Sequence, residues 1–306
     1  MFSAFCPARP FTKMPLWLLM GMASFVVGHQ TVQAQLIVTA EPSKKLYVAY
    51  EPVMVKVSIL NRAGRDIVLA DKGSTSWLTF QVTDSTGHLL SPHSRTSFEP
   101  VLIPAGQMLS REIPVNASYS MTRRGLYRIQ ASAYFPQLDR YFPSRAKTLQ
   151  ITEAKEMWSQ AVGVPEGHPK AGTFRRLVLS NFHDGAKKFL YLRIQDEESG
   201  VVYASFSLGQ VILVRKPTWN IDRKNQLHVL HMGAPQTYAH SVVDVDGKIV
   251  SREIYYEKNG IPSLVSDGSG GFLISGGISE KEANRDPLEA DVRKISERPE
   301  GLPDVP

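Results

Sequence analysis

The chain has 306 residues, 42% of them hydrophobic and 21% charged, which allows one large or two ordinary globular domains and excludes a fibrous or wholly disordered protein. Its 35 Lys and Arg against 29 Asp and Glu give a formal charge of +6. Those charges are scattered rather than gathered into a stripe, so no nucleic-acid partner is expected.

The N-terminal segment has the three parts of a secretory signal. Arg9 and Lys13 precede an apolar run from Pro15 to Val27, and Val32-Gln33-Ala34 forms a small-residue cleavage site before Gln35. Residues 1–34 are therefore expected to be a signal peptide and the protein to be exported, to the periplasm or the exterior. The apolar run has 13 residues, short of the roughly 20 that cross a bilayer, and no transmembrane segment is expected. Cys6 is the only cysteine and precedes the run, so the mature chain is expected to lack disulfides, thiolate metal sites and cysteine nucleophiles.

From residue 35 to 152 apolar residues alternate in short runs. Val53, Val55, Val57 and Ile59 share one strand face, as do Leu78, Phe80 and Val82, and Tyr127, Ile129, Ala131 and Ala133. Asn61-Arg62-Ala63-Gly64, Asp84-Ser85-Thr86-Gly87 and Pro104-Ala105-Gly106 punctuate them as turns. This pattern predicts an antiparallel β-sandwich. Tyr50-Glu51-Pro52-Val53 leading into Val55-Lys56-Val57-Ser58-Ile59, with Gly125-Leu126-Tyr127-Arg128-Ile129 near the end, resembles immunoglobulin-like domains of macroglobulin type. That resemblance implies a spacer or a binding module.

Residues 153–173, with Val164-Pro165-Glu166-Gly167-His168-Pro169, read as a linker. From 174 to 278 strand patterns return and repeat with a period of 47 to 50 residues: Leu177-Val178-Leu179, Leu190 to Ile194 and Val201 to Tyr203, then Leu227 to Leu230, Tyr238 to Val245 and Ile249 to Tyr255. A partial third unit spans Pro262 to Ile274. Asn225-Gln226-Leu227-His228-Val229-Leu230 and the Asp246-Gly247 hairpin resemble blades of secreted β-propellers. Two and a half units fall short of the four or more that close a propeller, so an open β-meander domain or a second sandwich is expected. Residues 279–306, with eight acidic and five basic side chains and little apolar periodicity, read as a disordered tail. The fold class is thus all-β, an Ig-like sandwich followed by a second antiparallel domain.

Catalytic signatures are sparse. Gly-x-Ser-x-Gly, His-Glu-x-x-His and a phosphate-cradling loop are absent from the sequence. His228 and His231 lie three apart on a strand and face opposite ways, while the remaining metal candidates, His240 and Asp244, spread too far along theirs for one ion, so no metal or other cofactor is expected. Asp196, Glu197 and Glu198 read as solvated turn charges, and Asp267-Gly268-Ser269-Gly270-Gly271 as a turn between strands. One feature departs from sandwich punctuation: Tyr134-Phe135-Pro136 and Tyr141-Phe142-Pro143 repeat a tripeptide around Arg140, with Arg145 beyond. The four rings and two arginines form the candidate binding patch, for sugar faces or a protein partner; the alternative is that half of the rings close the sandwich end as core or pack against the linker and Trp158. The basic excess of the body reads first as ordinary solvated charge; the alternative is an anionic partner such as a wall polymer or an acidic glycan. The expected function is non-catalytic binding of a polysaccharide or protein. The alternatives are a polysaccharide-active or accessory domain with its site in the C-terminal half, and a structural spacer.

Overall fold

The computed structural model describes residues 36–94 and 96–284. The expected signal peptide, Cys6 and most of the expected tail lie outside the described residues.

Period-two alternation becomes strand throughout. The N-terminal half contains β1 (Leu36–Pro42), β2 (Leu46–Val48), β3 (Met54–Asn61), β4 (Ile67–Leu69), β5 (Leu78–Thr83), β6 (Val101–Ile103), β7 (Met108–Pro114), β8 (Gly125–Phe135), β9 (Arg140–Pro143) and β10 (Lys147–Thr152). One sheet has the order β1-β3-β7 and the other β2-β10-β8-β5, with β9 also on β8; β4 and β6 pair separately. Val55, Val57 and Ile59 of the first sheet share a core with Val82, Ile129 and Leu149 of the second, as the alternation requires. Asn61 is buried at the end of β3 and holds the turn that follows: its side chain donates to the carbonyls of Arg65 and Ile103, each at 2.8 Å, and accepts from the amide of Ala63. The pairing of β2 with β10 is parallel, the one departure from antiparallel order among the described strands.

The C-terminal half contains β11 (Lys155–Gly163), β12 (Phe174–His183), β13 (Lys188–Asp196), β14 (Val202–Gln210), β15 (Thr218–Ile221), β16 (Leu227–Ala234), β17 (Thr237–Val243), β18 (Ile249–Tyr256), β19 (Ser263–Ser266), β20 (Phe272–Ser275) and β21 (Ile278–Ser279), then the single turn α1 (Glu280–Ala283). Strands β11 to β14 form one meander and β15 to β18 another, with β21 on the edge of the second; β19 and β20 form a hairpin. Leu177, Leu179, Leu192 and Ile194 of the first meander meet Leu227, Val229 and Val243 of the second in a separate core. Each meander has the three strands that the pattern marked, preceded by a fourth.

Those fourth strands correct the sequence reading. The stretch 153–173 is not wholly a linker, because Lys155–Gly163 pairs along the length of β12; a register shift between Glu156 and Trp158 breaks its period-two pattern. Residues 279–284 of the expected tail are structured: Ser279 caps α1 reciprocally with Glu282. Gly247, in the predicted Asp246-Gly247 turn, has φ +88, and a Cβ there would lie 2.3 Å from the Cβ of Ala204, so the turn packs directly against the facing sheet.

Candidate binding cleft

Leu190, Leu192 and Ile194 point from β13 into the second core, which leaves Tyr191 and Arg193 on the opposite face of the strand. The segment from Lys44 to Pro52 lies against that face. Val48, Phe182 and Tyr191 form a small apolar cluster across the seam between the halves, joined by Leu46, Ala154 and Phe189. Beside it Glu51 is buried, only 4% exposed. Its carboxylate accepts from the amide of Val48 at 2.7 Å, the Lys44 ammonium at 2.8 Å and the Tyr191 hydroxyl at 3.1 Å. Burial, and then the carboxylate, push the Tyr191 phenol above its ordinary range, so Tyr191 stays a donor to Glu51.

Glu51 is presented by a constrained turn. Tyr50 has φ 71, a left-handed conformation that costs an aromatic residue about 1–2 kcal/mol. Its ring is 40% exposed and lies 5.7 Å from the Arg193 guanidinium, and Ser205 donates to the Ala49 carbonyl at 3.4 Å.

Three concavities follow the seam. One of about 340 Å³ is lined mainly by hydrogen-bonding groups, among them Glu153, Glu156, Ser180, Tyr191, Arg193 and Ser205. Inside this lining, Arg193 Nε is buried without a partner. A second, of about 500 Å³, runs between Tyr50, Asn116 and Ser205, and a third, of about 510 Å³, lies over Leu46, Phe182 and Phe189. A fourth concavity, of about 360 Å³, sits on the first sandwich beside Phe80 and Tyr119, but Tyr119 and Ser76 there already spend their hydroxyls on backbone carbonyls.

The structure divides the residues of the candidate patch between core and surface. Phe135 and Phe142 belong to the first core, and Tyr134 is buried with its hydroxyl donating to Asp139. Only the Tyr141 ring is exposed, at 44%, stacked obliquely on Tyr134 with centroids 5.0 Å apart. Arg140 and Arg145 are exposed on either side, and Arg140 lies 5.6 Å from the Phe142 ring. Cross-strand pairing of Tyr134 with Tyr141 and Ala133 with Phe142 explains this: the tripeptide repeat is a hairpin that turns alternate rings inward.

Of the histidines, His228 and His240 come together on one face of the second meander, Nδ1 to Nε2 at 3.2 Å, with Asp222 3.4 Å from His228 Nε2 and Phe272 against the ring. His231 faces the other way, as its spacing requires. Asp244 does not join His240, because its Oδ1 accepts from the amides of Asp246 and Lys248 in its own turn. Among the described residues no group of three or more His, Cys, Asp or Glu side chains is placed to hold a metal ion. Asp196 and Glu197 are not free turn charges: they pair with Arg175 and Arg176 of β12. Asp267 accepts from Ser269 and Gly271 and closes the β19–β20 turn.

Sequence reading missed Glu51, Arg175 and Arg193. The signal for Arg175 is a charged residue at a period-two position shared with Leu177 and Leu179; that for Arg193 is its place beside Tyr191 in an otherwise apolar run. No protein-family model and no curated protein matches the chain. Among solved structures it is similar to the YadV chaperone, at 13% identity and a TM-score of 0.20 over 80% of this chain and 100% of that chain, a score at which the likeness says nothing of fold or function.

Proposed function

We propose that the protein is an exported, non-catalytic binding protein of the bacterial cell envelope or exterior, and that it holds a polysaccharide in the seam between its two halves. The observation that carries this reading is the polar concavity over β13, where the Ser180 hydroxyl, the Glu153 and Glu156 carboxylates and an unpartnered Arg193 Nε meet near the exposed Tyr50 ring. Ligand sites favour such junctions, and a few convergent polar groups with an aromatic face suit a hydroxyl-rich ring. Strain at Tyr50 accords with a residue held for presentation rather than for packing. A panel of cell-wall and soluble polysaccharides, tested against the full chain and Arg193→Met, checks it. Retention of the full chain by at least one polymer, with about tenfold weaker retention of the variant, is expected; retention of neither protein by any polymer contradicts it.

A second reading places a protein partner at the β8–β9 hairpin. Tyr141 and Leu138 are both exposed there, flanked by Arg140 and Arg145, a small apolar patch with a cationic rim.

A further inference from the structure

At one end of the second sandwich, Arg175 extends from β12 on the face that carries Leu177 and Leu179, and its side chain is fully buried. Nη1 donates to Asp196 at 3.0 Å and to Thr173 Oγ at 3.1 Å. Nε and Nη2, the two donors on one edge of the guanidinium plane, are buried with no partner. That edge is the fork which grips a carboxylate with two parallel hydrogen bonds. The neighbouring Arg176 spends the same fork on Glu197, so the fold fills this fork on one arginine and leaves it empty on the next. Asp196 has no remaining capacity: one oxygen takes the amide and hydroxyl of Ser199, and the other takes Arg175 and, at 3.4 Å, the Tyr203 hydroxyl.

The Tyr203 ring lies over the guanidinium at 4.1 Å and is itself 36% exposed. Lys170 closes the stack, its ammonium 3.2 Å from the Tyr203 hydroxyl and 5.0 Å from the ring centre. Lys170 belongs to the loop 164–173, which is tied down by His168 on Asp246 at 2.7 Å. Arg175 is thus a buried cation with a spare fork, an aromatic ring over its guanidinium and a second cation beyond that ring.

We propose that this end of the sandwich binds the carboxylate of an acidic sugar: Tyr203 turns aside, the carboxylate takes the Nε–Nη2 fork of Arg175, and Lys170 pairs with it from the solvent side. A uronate offers both the planar anion for the fork and a ring to rest on the displaced tyrosine. The inference does not depend on the seam reading, because Arg193 is not part of this site.

The test follows the Arg175 Nε–H resonance of the full chain by nitrogen-15 NMR, with acetate, its neutral isostere acetamide, a galacturonate oligomer and a peptide with a free C-terminal carboxylate. Acetate and the galacturonate oligomer are expected to shift the resonance, and acetamide to leave it in place. Arg175→Lys, which keeps the charge and loses the fork, is expected to weaken galacturonate binding at least about tenfold. Tyr203→Phe, which frees the cover from Asp196 and Lys170 but preserves its packing, is expected to tighten binding severalfold. An Arg175 resonance unmoved by saturating acetate and galacturonate, or equal galacturonate affinity in Arg175→Lys, overturns the site; a response to the peptide without one to galacturonate overturns the sugar assignment.

Discussion

Single residues set the acid limit of the fold. His231 and His240 are both buried, and burial, reinforced by Arg252 beside His231 and by His228 beside His240, lowers each to about 4 from the ordinary 6.5. Between those values the unfolded chain binds protons that the folded chain refuses, so stability falls as pH falls from 6.5 through 4. From pH 7 to 5 each histidine is expected to cost about 2 kcal/mol. Urea unfolding across that range checks it, and His231→Met should flatten the slope by its share whatever it does to absolute stability. At Gly247, replacement by Ala sets a Cβ 2.3 Å from Ala204 in a left-handed turn, and should cost about 2–4 kcal/mol in the same assay. This position was legible as a hairpin from Asp246-Gly247, but its packing against the facing sheet was not, because local sequence does not say which surface a turn meets.

At the scale of elements, alternation located the principal strands and the paired units of the second half, since a strand with one buried face must carry its apolar residues at period two. It failed at β11, where the register shift breaks the pattern, and at β15, which lies at a sheet edge where burial is slight. The β8–β9 hairpin shows the other limit: repetition of Tyr-Phe-Pro marked a special place, but only pairing decides which ring turns inward. Phe142→Ala should therefore cost about 3–5 kcal/mol, as a core truncation. Tyr141→Ala should change thermal stability little and instead report on partner binding. Comparable losses of melting temperature for the two variants would contradict this division of the hairpin.

Across the whole molecule the two cores meet at a seam whose polar keystone is Glu51. It unites an amide and an ammonium from the first half with a hydroxyl from the second, and Glu51→Ala leaves the Val48 amide and the Tyr191 hydroxyl without their acceptor. The expected cost is about 2–3 kcal/mol, seen as faster proteolysis between β10 and β11 before global unfolding. None of this was readable from Tyr50-Glu51-Pro52-Val53 alone, because the partner lies 140 residues away on a face defined only when β13 pairs on both sides. The same seam holds the proposed polysaccharide site, and hydrogen exchange of the full chain, free and bound to the best ligand of the polysaccharide panel, tests that claim most directly. The account predicts new protection at Val48 to Tyr50, Glu153 to Glu156, Tyr191 to Arg193 and Ser205; protection confined to Arg140 to Arg145, or no protection at the seam at saturation, would contradict it.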